Sequence, residues 1–190
     1  MQSADFVSQS PAPRSHLPRA VMQTEGLTVR AIGDNPLIAG EPMPSSRWRI
    51  RLLSLYPPYL GAGVRVRPSA DLRTFEVRMK LRWWNRNYVG THFGGSLYSM
   101  CDPFLMLILM GALGRDYVVW DKAATIRFRK PGRTTLTATF RIDDAELDAI
   151  RAATAGGQPI DRTYNIDLVD GDGLVHASVE KVIYVRQRTG

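Results

Sequence analysis

The segment from Gly95 to Gly114 constrains the fold more than any other feature, because it is apolar on nearly every side. Its central run, Phe104 to Met110, reads FLMLILM, and Asp102 is the one charged residue in the segment. An α-helix that is apolar all round has to be enclosed by other structure. The sequence therefore predicts one buried central helix of about five turns. The apolar run is much shorter than the ~20 residues needed to cross a bilayer, so no membrane span is expected.

The segments around this helix alternate between apolar and polar residues, which is typical of half-buried strands. The clearest case has Phe75, Val77, Met79 and Leu81 on one face. Other alternating runs lie at about 64–67, 117–130, 134–142, 163–168 and 174–186. Helices are predicted from a Ser46 cap to Pro57-Pro58, and from Asp144 to Ala155. The fold class is therefore α+β, with an antiparallel sheet of about six strands wrapped around the long helix.

Residues 1–45 differ in composition from the rest of the chain and hold six of its twelve prolines. They are interpreted as a poorly ordered N-terminal extension, and residues 46–190 as one domain. The single cysteine, Cys101, excludes an intrachain disulfide and favours a reducing compartment. Because no secretory signal pattern is visible, we expect a cytoplasmic protein.

The stretch NYVGTHFGGS, from Asn87 to Ser96, followed by Asp102-Pro103, resembles the HGG-type acyl-CoA thioesterases of the hotdog fold. It looks closest to their uncharacterised DUF4442-type relatives, which also carry a segment similar to VWDKAATIRFRKP at 119–131. The resemblance covers about residues 46–187. In HGG-type enzymes an Asn precedes the first motif Gly by seven positions and an acid follows it by eight. With Gly94 as that Gly, these are Asn87 and Asp102, but the motif His falls on Phe93 and His92 stands one residue early.

The resemblance implies a thioester hydrolase that acts on acyl-CoA or another acyl thioester, as a homodimer or a dimer of dimers, without a metal or redox cofactor. Asp102 is expected to act as general base or nucleophile, facing Gly95 of the partner chain, and could instead cap a helix restarted at Pro103. The Gly95 amide is the candidate oxyanion donor, although the glycines could simply permit close packing. Asn87 would orient water or the substrate carbonyl, or shape the loop. His92 would donate to the thioester, or hold the loop.

Further residues are expected to bind substrate: Phe93, Gly94, Ser96, Asp121, Arg127, Arg129, Lys130 and Arg133. The last four form a basic cluster in a chain with 25 basic and 18 acidic residues, a net charge of +7. Such a cluster can dock the CoA phosphates or be an ordinary solvated strand face. Asp121 could also form a buried ion pair with Lys122. Trp83 and Trp84 are interpreted as core and dimer-edge residues, and no nucleic-acid-binding motif is visible.

Two other functions stay open at this point, because the hotdog fold hosts several activities. One is a hydratase or dehydratase of acyl thioesters, which the His92-Phe93 pair faintly resembles. The other is a non-catalytic module that binds acyl thioesters or lipids and in which Asp102 is structural.

Overall fold

The computed structural model describes residues 47–189. The predicted extension over residues 1–45 and the predicted cap Ser46 lie outside the described residues. The helices are α1 (Arg47–Leu52), α2 (Pro57–Ala62), α3 (Gly94–Ser99), α4 (Phe104–Leu113) and α5 (Asp144–Thr154), and a 3-10 turn covers Leu53–Leu55. The strands are β1 (Val64–Pro68), β2 (Thr74–Met79), β3 (Tyr117–Phe128), β4 (Leu136–Arg141), β5 (Ile160–Val169) and β6 (Val175–Gln187).

The six strands form one antiparallel sheet in the order β1-β2-β4-β5-β6-β3. β3 is an edge strand of this sheet and pairs with β6 over nearly its whole length. Alternate residues of β1, β2 and β4 are buried, as the period of two in their sequences requires. The predicted α+β class and the hotdog arrangement are confirmed.

The core lies between the concave face of the sheet and the central helical segment. Phe104 of α4 packs with its ring centre 6.1 Å from that of Phe75 in β2 and 5.1 Å from that of Phe140 in β4. Leu105, Ile108 and Leu109 are buried in the same cluster. Within the described residues, Gly94–Leu113 is the one helical segment long and apolar enough to cross a membrane, and it is the core helix of this sheet.

The central helix differs from the prediction because it is not continuous. α3 ends at Ser99, and α4 begins at Phe104. Pro103 has no N–H to donate to the preceding turn, so the helical hydrogen-bond pattern cannot run through it. The break leaves Asp102 outside both helices, beside the sheet.

The prolines near the start of the described chain also act differently from the prediction. Pro57-Pro58 begins α2 instead of ending a longer helix. Proline suits the first turn of a helix, where its missing N–H would have no partner in the helix. The buried Tyr59 of α2 stacks against Phe104, so this short helix closes one end of the core.

Candidate functional site

A buried ion cluster forms where the central helix is broken. The ammonium nitrogen of Lys181, in β6, lies 2.9 Å from Oδ1 of Asp102 and 2.9 Å from Oδ2 of Asp121. Lys181 is completely buried, whereas 44% of the Asp102 side chain and 21% of the Asp121 side chain stay exposed. The Asp102 carboxylate is therefore the member of this Asp102–Lys181–Asp121 cluster that is most open to an incoming molecule.

A β-bulge helps to place Asp121 in the cluster. Asp121 lies opposite Ile183 of β6 and Ala123 lies opposite Val182, so Lys122 is an extra residue in β3. The amine of Lys122 lies 2.6 Å from a carboxylate oxygen of Asp161, and both side chains are about half exposed. The predicted buried pair of Asp121 with Lys122 is therefore wrong. Asp121 pairs with Lys181, and Lys122 forms a surface pair with Asp161.

The two carboxyl groups of the cluster differ in pKa. Burial favours the neutral amine of Lys181, but its hydrogen bonds to Asp102 and Asp121 outweigh burial and keep its pKa above the ordinary value. Burial and the neighbouring Asp102 carboxyl raise the pKa of Asp121 to about 6. Burial also acts to raise the pKa of Asp102, but hydrogen bonds with Asp121 and Lys181 outweigh it and lower that pKa. Asp102 is therefore ionised before Asp121 as the pH rises.

In the part of the chain that the structure describes, no second cation contacts the cluster. The hydroxyl of Tyr98, in α3, lies 3.5 Å from the Lys181 nitrogen, and the Tyr59 hydroxyl donates to the backbone carbonyl of Asp102. Cys101 is buried, and burial raises the pKa of its thiol to about 12. The alternative in which Asp102 caps the following helix is wrong, because Pro103 occupies that position and no side chain caps the helix.

Asn87 is fixed inside its own loop. Its side-chain oxygen accepts hydrogen bonds from the backbone N–H of Val89 at 3.1 Å and of Thr91 at 3.0 Å. Its side-chain nitrogen donates to the Thr91 hydroxyl at 2.9 Å and to the His92 carbonyl at 3.4 Å. These four contacts favour the loop-shaping role of Asn87 over direct contact with substrate.

His92 ties the same loop to the segment that precedes β4. Its Nε2 lies 2.8 Å from the carbonyl of Thr134, and its backbone N–H donates to the carbonyl of Gly132 at 2.9 Å. Burial lowers the pKa of His92, so the ring is neutral near pH 7. Its buried Nδ1 has no hydrogen-bond partner.

Two clefts meet at this loop. The first, of about 430 Å³, is lined by Asn87, His92, Gly94, Phe128 and three basic residues, which are Arg129, Lys130 and Arg133. The second, of about 520 Å³, is lined on one side by Pro57 and Trp84 and on the other by Phe93, Gly95 and Ser96. Neither cleft is lined by Asp102 or Asp121. Within one chain the predicted residues thus form two groups, the cleft residues and the ion cluster.

The predicted basic cluster is also divided. Arg129, Lys130 and Arg133 line the first cleft, whose described lining contains no acidic residue. Arg127 lines a separate groove of about 290 Å³ together with Arg129, Asp167 and Glu180. Arg127 and Arg129 therefore share a groove with acidic residues, whereas Lys130 and Arg133 belong to the first cleft.

The N-terminus of α3 lies between the clefts. Phe93 occupies the cap position but makes no side-chain cap, and helix amides in the first turn have no partner within the helix. A side chain on Gly95 would come within 2.6 Å of the Phe93 ring.

The two loop tryptophans are predicted as core and dimer-edge residues. Trp83 is 76% exposed and Trp84 is 46% exposed, so neither is a core residue.

A family model described as a domain of unknown function, DUF4442, matches residues 48–185. The chain belongs to the DUF4442 family. No curated protein matches its sequence. The match covers the described fold of this DUF4442 domain except for Arg47, the first residue of α1, and the last two residues of β6.

Solved structures share this fold at low sequence identity. One is a Pseudomonas aeruginosa protein of unknown function described as a probable thioesterase, with 18% identity, a TM-score of 0.63, and coverage of 77% of this chain and 99% of that one. A Haemophilus influenzae thioesterase has 12% identity, a TM-score of 0.55, and coverage of 75% and 91%. A mutant thioesterase from P. aeruginosa has 12% identity, a TM-score of 0.56, and coverage of 79% and 99%. At these identities the likeness establishes the fold.

Lys181 is the member of the site that sequence reasoning misses. The signal is present in the last strand, where Lys181 occupies an inward position between Val179 and Ile183. A lysine on an apolar strand face requires an acidic partner.

Among the described residues, no group of three or more His, Cys, Asp or Glu is placed to hold a metal ion.

Proposed function

We propose that this DUF4442 protein is a thioester hydrolase that acts on acyl-CoA or a related acyl thioester. The observation that carries the proposal is the position of Asp102 between α3 and α4. Its carboxylate is half exposed, and the fully buried Lys181 holds it in place. A carboxylate is costly in such surroundings unless it is paired or used, and this one is both paired and accessible. The hotdog neighbours described as thioesterases agree with this choice of reaction.

In the proposed reaction, Asp102 takes a proton from water, and the water oxygen attacks the thioester carbonyl carbon. The backbone N–H of Gly95 stabilises the negative charge that develops on the carbonyl oxygen. Attack of the Asp102 carboxylate itself is the other route that the same geometry allows. His92 and Asn87 keep the loop that carries Gly94 and Gly95 in position.

The first cleft supplies the site for the CoA moiety in this proposal. Arg129, Lys130 and Arg133 line it, its described lining contains no acidic residue, and guanidinium and ammonium groups pair well with phosphate oxygens. The acyl group would lie in the second cleft, between Trp84 and Phe93.

The proposal includes a homodimer or a dimer of dimers. β3 is an edge strand, and its residues from Lys122 to Thr125 are exposed. The exposed part of this twelve-residue edge strand is a surface on which a second copy can pair. Within one chain, Asp102 and the cleft residues lie apart. Such a dimer would bring Asp102 of one protomer to the cleft residues of its partner.

The experiment is thiol release from a panel of acyl-CoA substrates, short, long and aromatic, by the wild-type protein and by Asp102→Asn. We expect wild-type hydrolysis, and a loss of about 100-fold or more in Asp102→Asn, the range for removal of a general base. Asp172→Asn is the matched control, because Asp172 is an exposed aspartate in the turn between β5 and β6 and lines none of the clefts described above.

Three outcomes contradict the proposal. Full activity of Asp102→Asn would remove Asp102 from the mechanism. If no substrate releases thiol but the protein hydrates enoyl thioesters, the protein is a hydratase. Equal acyl-CoA binding by both forms without any turnover would identify a binding module.

A further inference from the structure

The Asp102–Lys181–Asp121 cluster holds two carboxyl groups around one ammonium group. Both distances to the Lys181 nitrogen are 2.9 Å, and the two carboxyl groups also interact directly with each other. The ammonium neutralises one carboxylate, so the second ionised carboxylate gives the cluster a net negative charge. A proton taken up by either group removes this excess charge and is shared by the pair.

Among residues 47–189, no other charged side chain forms an ion pair or hydrogen bond with the cluster. The groups that face it are the Tyr59 hydroxyl from α2, the Tyr98 hydroxyl from α3 and the Cys101 thiol from the segment between the helices. The Tyr59 hydroxyl and the Cys101 thiol are neutral near pH 7, because burial raises the pKa of both groups. Oδ1 of Asp121 is buried without a hydrogen-bond partner, so its surroundings favour the protonated form of this carboxyl group.

We propose that Asp102 and Asp121 act as one base, which shares the proton taken from the attacking water, and that Lys181 is the positioning residue that holds the two carboxyl groups together. This inference rests on the proposed thioester hydrolysis. A lone aspartate is a weak base, whereas a second carboxylate beside it makes proton uptake more favourable. At neutral pH the pair is ready to accept one proton.

The step balances in atoms and charge. The water oxygen forms a bond to the carbonyl carbon, and one water proton passes to Asp102 and is shared with Asp121. The tetrahedral intermediate then collapses, and the C–S bond breaks. The proton leaves the carboxyl pair for the departing sulfur, so the products are a carboxylic acid and a thiol, and both carboxylates are restored.

The test is the dependence of kcat/KM on pH. In the wild type we expect kcat/KM to rise with pH through an inflection near the pKa of Asp121, about 6. Asp121→Asn should move the inflection to lower pH and reduce the plateau by about 10-fold or more, because Asp102 is then a lone, weaker base. Lys181→Met should move the inflection to higher pH, and Lys181→Arg should leave it near the wild-type position.

Lys80→Met is the matched control, because Lys80 is an exposed lysine that follows β2 and makes no contact with the Asp102–Lys181–Asp121 cluster. A purely structural role for Lys181 and Asp121 would lower activity or thermal stability without moving the inflection. The same inflection in the wild type, Asp121→Asn and Lys181→Met would therefore overturn the inference.

A titration of ¹³C-labelled aspartate by NMR gives a readout that does not depend on turnover or on the variants' yield. We expect the carboxyl signals of the wild type to show a titration step near pH 6. In the spectra of Asp102→Asn this step should be missing. If no carboxyl titrates above pH 5, the pair is not a shared base. An absence of turnover together with a titration near pH 6 would contradict the proposed function and leave the shared proton intact.

Discussion

Asn87 illustrates at the scale of single residues how much of this site is loop architecture. Its side chain makes four hydrogen bonds within the stretch from Asn87 to His92. Asn87→Ala removes all four and should lower the free energy of unfolding by about 1 to 2 kcal/mol, the net value of one or two such bonds. Urea denaturation measures this change. Tyr88→Ala is the control, since Tyr88 is fully exposed and its loss should have almost no effect.

Equal stability of Asn87→Ala and Tyr88→Ala would show that the loop does not depend on Asn87. A large loss of kcat with unchanged stability would instead assign Asn87 to direct contact with the reacting groups, the role that its hydrogen bonds argue against.

The sequence predicts single residues of the site unequally. Asp102 stands out because it is the one charge in an apolar segment, and a motif at fixed spacing selects Asn87 and Gly95. Lys181 lies 79 residues from Asp102 along the chain, and only the packing of the broken central helix against the sheet brings the two together. Local spacing carries no information about such a contact. The bulge at Lys122, which separates Asp121 from its neighbour in sequence, is likewise set by strand pairing.

At the scale of elements, the turn from α2 into β1 depends on Gly63. Its φ of +76° is left-handed, and a Cβ there would lie 2.8 Å from the side-chain nitrogen of Asn85. That nitrogen donates to the carbonyls of Ala62 and Lys80, so it cannot move freely. Gly63→Ala should lower the free energy of unfolding by about 1 to 2 kcal/mol or more, from the left-handed backbone and the displaced Asn85.

Gly61→Ala is the matched control for that substitution. Gly61 lies in α2 and lacks a left-handed φ, and no atom lies within 4 Å of a Cβ added there. Gly61→Ala should therefore raise the free energy of unfolding by up to about 1 kcal/mol. Thermal melts of the two variants should therefore move in opposite directions. A shift of the same sign and size in both would show that the helix end does not require glycine.

Elements with a strong repeat are the ones that the sequence predicts best. The strand alternation and the amphipathic pattern of α5 predict those elements to within a few residues. The break at Pro103 and the helix that begins at Pro57 are predicted wrongly, because proline both ends and begins helices. Packing of Tyr59 and Phe104 around these prolines decides between the two, and that packing is a property of the tertiary structure.

At the scale of the whole molecule, the two groups of site residues have to meet for the proposed reaction. Asp102 belongs to the ion cluster, whereas Gly95 lines the second cleft, and neither of the two clefts at the loop is lined by Asp102. In the proposed two-fold dimer, with β3 at the interface, the ion cluster of each protomer would face the cleft residues of the partner chain. The proposal therefore requires that each active site contains residues from both protomers.

Complementation between two inactive variants tests this requirement. Asp102→Asn removes the base, and Gly95→Val obstructs the oxyanion donor, because a side chain there meets the Phe93 ring. Each variant alone should be inactive. In a mixed dimer, one site carries both defects and the other carries neither, so random pairing after co-expression should restore about a quarter of wild-type activity.

An inactive mixture that contains mixed dimers would place the whole site within one chain. Variants that sediment as monomers would contradict the dimer itself. Recovery of activity in the mixed dimer, isolated through two different affinity tags, would require Asp102 of one protomer and Gly95 of the other to act on the same substrate.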